Sequence, residues 1–284
     1  MNLVEAKMAK KYSRQEILSR LRGQLAAGKP LLMFGAGIGL TARCAEAGGA
    51  DIVAVYSTSI YRIRGQPTLL SVLPYGNTNE IIRGMAGEIL PVVKETPCIA
   101  GIGAHDPVLN MERFMDELLS LGFSGFTNEP CAGFYGPEFA IQLESVGLGF
   151  SREVELISIA NRKDVFSVAW CFNPNEARLM AQAGADVIGA IVGVTVGGMV
   201  GAKKSMSMEE GAAAIRDMIT SARAVKPDII VLTHGGPFKD PQTAEYSILH
   251  SGADGFAAGS SGERLPTEQA VTSVTQSYKQ IRLK

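Results

Sequence analysis

The chain has 284 residues, 46% of them apolar and 19% charged, and a formal net charge of −1 from 27 basic and 28 acidic residues. It can therefore bury one large α/β domain or two small ones, and its balanced charge offers no basic field to nucleic acid or to an anionic membrane. Cys44, Cys98, Cys131 and Cys171 lie far apart with no Cys-x-x-Cys pair, which argues against a zinc ribbon or disulfide framework and for reduced thiols in the cytoplasm.

The opening stretch MNLVEAKMAKKYSRQEIL lacks the apolar run of a secretory signal. Within it Ser13-x-x-Glu16 is a capping box, and the helix it opens ends at Gly28, a residue suited to the left-handed turn beyond a helix. Residues 1–29 are expected to form an N-terminal helical extension and residues 30–284 the main domain. Eight strands are predicted, over 31–36, 51–56, 97–101, 124–128, 165–170, 186–191, 228–233 and 254–258. Helix starts are signalled by Asp106-Pro107, Asn173-Pro174 and Asp240-Pro241, and by Asn77-x-x-Glu80 and Ser207-x-x-Glu210. Two consecutive helices, GPEFAIQLESVG and SREVELISIANRK, fill the long interval between strands 4 and 5. The run ADVIGAIVGVTVGGMVGA is too rich in glycine and β-branched residues for a membrane helix and reads as a buried strand and a loop.

A Gly-Ala-Asp turn recurs before strands 2, 6 and 8, in AGGADIVAVY, QAGADVIGAI and HSGADGFAAG, with SLGFSGFTN as a looser copy before strand 4. Eight βα units in about 250 residues indicate an α/β fold with a single (β/α)8 TIM barrel. A doubly wound open sheet is the alternative.

In a barrel the chemistry sits at the C-terminal ends of the strands. Those ends read GAGIG, YSTSIYR, GIGAHDP, NEPCAG, CFNPNE, GVTVGG, HGGP and GSSGER, whereas the opposite ends are bland. Tight βα turns alone need many of these glycines and caps, yet the asymmetry favours a small-molecule site. After strands 7 and 8, Gly235, Gly236, Ser260 and Ser261 could present backbone N–H and hydroxyl donors to a phosphate or carboxylate, or simply form turns. Tyr56, Ser57 and Arg62 form a polar patch after strand 2, with Arg62 either a clamp for an anion or a solvated loop charge. Gly197 and Gly198 belong to the same rim. Gly37 lies in a lone Gly-rich turn without the spacing or acidic partner of a dinucleotide site, so neither a nicotinamide nor a flavin is expected. Asp106 and Glu129 are candidates for catalysis or for holding Mg²⁺, with capping the competing role for Asp106. His234 is a candidate acid–base or a carbonyl-bonded histidine. Cys131 and Cys171 at the rim read more naturally as buried thiols than as nucleophiles.

GGADIVAVYSTSIYR, LPYGNTNE, LPVVKETPCIAGIGAHDP, GFSGFTNEPCAG, VGVTVGG and LTHGGPF…GSSGERLP together resemble the phosphoenolpyruvate hydrolase-like family, also described as TIM-barrel signal-transduction proteins. The resemblance spans about residues 15–280. It implies a barrel akin to the phosphoenolpyruvate/pyruvate superfamily. It further implies hydrolase or lyase action on a small phosphorylated or carboxylated α-keto acid such as phosphonopyruvate, with Mg²⁺ and a homo-oligomeric state. The paired acidic residues and the Glu-Asp-Lys segment of the mutase and lyase branch are absent from this sequence. A ligand-binding or signalling barrel without turnover, or an oligomeric interaction module, is the alternative.

Overall fold

The Gly-Ala-Asp turns have a structural task at the lower end of a closed sheet. In the computed structural model, which describes residues 9–283, each Asp accepts a hydrogen bond from a backbone N–H of the neighbouring strand. Asp51 bonds Leu32 N at 2.8 Å, Asp186 bonds Ser167 N at 3.2 Å and Asp254 bonds Val231 N at 2.8 Å. The left-handed glycines Gly49 (φ 88°), Gly184 (φ 94°) and Gly252 (φ 79°) aim the chain from helix to strand. In the looser copy Ser124 accepts from Tyr12 N at 3.0 Å instead.

The strands are β1 (Leu31–Ala36), β2 (Ile52–Val55), β3 (Cys98–Gly101), β4 (Gly125–Thr127), β5 (Phe166–Cys171), β6 (Val187–Ile191), β7 (Ile230–His234) and β8 (Gly255–Ala258). They pair in parallel in sequence order, and β1 pairs with β8 to close the barrel. Continuous apolar runs such as Ile52–Val55 are what such strands need, because they are covered on both faces. The open-sheet alternative is thereby excluded.

The Ser13 and Ser207 capping boxes form as expected, as do the Asn-Pro and Asp-Pro starts at 173 and 240. Asp106-Pro107 does not start a helix. Asp106 instead bonds Val108 N at 3.1 Å in a turn, and the helix Met111–Leu121 begins behind Asn110, whose side chain accepts from Arg113 N. The last helix begins at Arg264. From Gln269 to Leu283 every residue is exposed, including Val271, Val274 and Tyr278. Among the described residues no helix is long and apolar enough to cross a membrane. Residues 1–8 of the expected N-terminal extension, and of the stretch read as lacking a secretory signal, lie outside the described residues, as does residue 284.

The helix Arg14–Ala26 is fastened by Arg14, whose Nε and Nη2 lie 2.9–3.0 Å from the Asp186 carboxylate, itself 1% exposed. Asp186→Ala removes both the partner of Arg14 and the acceptor of Ser167 N. It is expected to cost about 3 kcal/mol in urea unfolding, against about 1 kcal/mol for Asp51→Ala, whose carboxylate makes one backbone bond. Equal losses would contradict this assignment.

Candidate active site

The chain leaves β2 at Tyr56 and turns at once into a short helix, Ser57–Ile63, with residues 57–62 buried. The polar patch expected on a loop is thus folded into the barrel mouth. Arg62, 3% exposed, pairs through Nε with Glu263 Oε2 at 2.7 Å, and Glu263 is itself fully buried. Arg62 Nη2 donates to Gly35 O and, at 2.8 Å, to Ser59 Oγ. The other Glu263 oxygen accepts from Gly37 N and Thr41 Oγ1, both at 2.6 Å. One carboxylate thereby joins the loops after β1, β2 and β8. The N–H of Gly37 serves this joint, and a Cβ there would meet Ser59 O at 2.4 Å.

Arg62 Nη1 lies beside Gly259, where an added Cβ would be 3.3 Å from Nη1 and 3.0 Å from His234 Cε1. Gly259 is bare so that these two side chains can approach each other. His234 Nδ1 is 2.7 Å from Ala257 O. A carbonyl only accepts, so Nδ1 carries the proton and Nε2 keeps its lone pair. Burial, with Arg62 nearby, lowers the His234 pKa to about 4. The ring is neutral at ordinary pH.

Glu129, 4% exposed, follows β4. It accepts from Thr58 Oγ1 and lies 3.6 Å from Cys131 Sγ. Burial raises its carboxyl to about 7. Burial also holds the Tyr56 phenol protonated, with a pKa of about 12. Tyr56, Thr58, Arg62, Glu129, Trp170 and His234 line one narrow cavity of about 30 Å³ at the C-terminal mouth, with Ser260 and the residues 193–195 at its edge.

Other expected residues lie elsewhere or have other tasks. Asp106 is outside the cavity, bonded to Val108 N and, at 3.4 Å, to Asn79 Nδ2. Ser57 faces Thr78 at 3.3 Å. Gly236 N donates to Gly193 O at 2.9 Å, and a Cβ on Gly235 would meet that same oxygen at 2.1 Å. The two glycines thus let the loop after β7 dock on the loop after β6, and the N–H of Gly236 does not reach the cavity. Gly197 and Gly198 lie against Arg264, whose Nη2 donates to Gly197 O at 3.0 Å. Ser261 Oγ is buried without a partner, outside the cavity lining. Burial, then Glu129, raises the Cys131 thiol well above its ordinary range, and Cys171 is likewise buried and raised. Neither suits a thiolate nucleophile.

The cavity offers a cation one carboxyl, that of Glu129, beside the Arg62 guanidinium. Among the described residues no three His, Cys, Asp or Glu side chains converge as a metal site. This donor set does not fit a hard divalent ion, which prefers several anionic oxygens. Sequence reasoning missed Thr58, Glu153, Trp170 and Glu263. Glu153, 4% exposed, accepts from Ala132 N at 2.6 Å and Asn128 Nδ2 at 2.5 Å, and so fixes the loop that carries Glu129. Trp170 and Glu263 each stand at the end of a strand or in the loop behind it, a position that could have marked them.

Phosphoenolpyruvate hydrolase-like sequences match residues 16–281 of the chain. The ToMV resistance protein Tm-1(GCR237) of Solanum lycopersicum is 41% identical over 95% of this chain, which spans 36% of that protein's length. The phosphoenolpyruvate phosphomutase of Streptomyces platensis subsp. rosaceus superposes with a TM-score of 0.58 at 18% identity, covering 92% of this chain and 86% of that one. A phosphonopyruvate hydrolase in complex with oxalate and Mg²⁺ gives 0.56 at 16%, covering 94% and 87%. These likenesses establish a shared barrel, and the match over nearly the whole sequence establishes more: the chain belongs to the phosphoenolpyruvate hydrolase-like family.

Proposed function

We propose that the mouth cavity is the active site of an enzyme acting on a small anionic metabolite of the α-keto acid class, phosphorylated or not, by acid–base chemistry. The observation that carries this reading is the presence of a fixed guanidinium, Arg62, and a carboxyl near neutrality, Glu129, in the lining of one cavity. The guanidinium anchors a carboxylate of the substrate. A carboxyl with a pKa near the ambient pH exchanges a proton with the carbon next to the keto group. Tyr56 stays a hydrogen-bond donor, and His234 Nε2 offers an acceptor in a neutral ring. The second reading, a binding barrel without turnover, is favoured by the single carboxyl in the cavity.

Deuterium exchange at C3 of pyruvate and of phosphonopyruvate in D2O, followed by proton NMR, tests the chemistry. The wild type is expected to exchange, and Glu129→Gln to slow exchange about 100-fold or more. Exchange at the wild-type rate in Glu129→Gln would sink the acid–base role, and binding without exchange would favour the second reading.

We further propose that the chain works as a homo-oligomer. The support is the terminal helix Arg264–Lys279, where Val271, Val274 and Tyr278 form an exposed apolar stripe at spacings of three and four. Light scattering on the purified protein is expected to give a dimer or larger assembly, and Val271→Asp with Val274→Asp to shift it toward the monomer. A wild-type monomer at micromolar concentration would refute this.

A further inference from the structure

Two features limit what the cavity can hold. The first is charge. Arg62 is the one cationic side chain in the lining, and it is already paired with Glu263. A second or third negative charge on a ligand would find no further cation there. The second is the remaining polar inventory. Trp170, 2% exposed, lines the cavity and carries an indole N–H without a partner. That N–H is a donor suited to a neutral carbonyl or hydroxyl oxygen. The rest of the lining adds the uncharged hydroxyls of Tyr56, Thr58, Thr68, Thr195 and Ser260 and the apolar side chains of Ile191, Val194 and Phe134.

Resting on the reading of this cavity as an anion site, we propose that it selects a monocarboxylate of the 2-oxo or 2-hydroxy acid class with an uncharged tail, and takes up one proton at Glu129 when that ligand binds. The carboxylate would sit on Arg62, and the oxygen on C2 would accept from the Trp170 indole. An anion placed between Arg62 and Glu129 opposes a second negative charge at Glu129, so the protonated form of Glu129 binds best.

The sign follows. Free Glu129 loses its proton through about pH 7. Above that pH each binding event must restore the proton, so affinity falls as pH rises, by about tenfold per pH unit at the limit. The ionisable groups around Glu129 are Arg62 and Tyr56 from the chain after β2, Cys131 from its own loop, His234 from β7 and Glu153 from the helix Phe150–Arg162. Tyr56 and Cys131 titrate at high pH and His234 near 4. Burial raises Glu153 to about 8, so it alone shares the window. The Glu129→Gln variant separates the two.

Isothermal titration of the full chain, in two buffers of different ionisation enthalpy at pH 6.0, 7.0 and 8.0, tests this with glyoxylate, pyruvate, glycolate, phosphonopyruvate and phosphoenolpyruvate as probes. At least one monocarboxylate is expected to bind more than tenfold tighter than either phosphorus-containing acid. The buffer dependence should give uptake approaching one proton at pH 8.0, and affinity should drop toward tenfold between pH 7.0 and 8.0. In Glu129→Gln, checked for folding by circular dichroism, both the uptake and the pH dependence should vanish. Tighter binding of phosphonopyruvate or phosphoenolpyruvate, binding without proton uptake in the wild type, or uptake that persists in Glu129→Gln would each overturn the proposal while leaving the anion site intact. No binding of any probe would overturn the anion reading itself. The wild-type measurements stand even if the variant fails to fold.

Discussion

Everything at the mouth of the barrel is arranged around one buried ion pair, Arg62–Glu263, at 2.7 Å with both side chains out of solvent. Removing two charges from water costs several kcal/mol per ion, and the pair recovers that only when the remaining donors and acceptors are met. Here they nearly are. Glu263 takes Gly37 N, Thr41 Oγ1 and Arg62 Nε, and Arg62 gives Nη2 to Gly35 O and Ser59 Oγ. The guanidinium so held is part of the cavity lining. A guanidinium held this way loses little conformational entropy on binding a ligand. Its charge is already shared, which limits how much further negative charge the site can take.

The glycines of the rim serve this arrangement by letting backbones and side chains approach. Gly259 leaves room between His234 and Arg62, and Gly189 leaves room for Trp170, whose ring atom Cε3 would lie 2.2 Å from a Cβ there. Gly235 and Gly236, behind His234, bring the loop after β7 onto Gly193 O. The histidine is therefore presented by a packed turn in which the Gly236 N–H is already engaged, and its contribution to the cavity is a single lone pair on a neutral ring.

The fold was legible because its signals are local. Parallel barrel strands are unbroken apolar runs, and caps such as Ser13, Asn173 and Asp240 act within three residues of themselves. Even the Gly-Ala-Asp repeat was visible, although what it does, bonding the N–H of the adjacent strand, depends on pairing over 19 to 23 residues of sequence. The site was legible only in part. Arg62, Glu129 and His234 stood out as polar residues at strand ends, and the structure gathers them. Glu263 did not, because its meaning depends on a partner 201 residues away. Asp106 misled because Asp-Pro signals a helix start equally well when the chain makes a turn first.

In the proposed complex a small carboxylate lies between Arg62 and Glu129, which line the same cavity. The most direct measurement is electron density from crystals soaked in pyruvate or glyoxylate. A carboxylate is expected on Arg62, within hydrogen-bond distance of Glu129 and beside Trp170. A well-ordered ligand bound at another place on the rim, with the cavity unchanged, would contradict it.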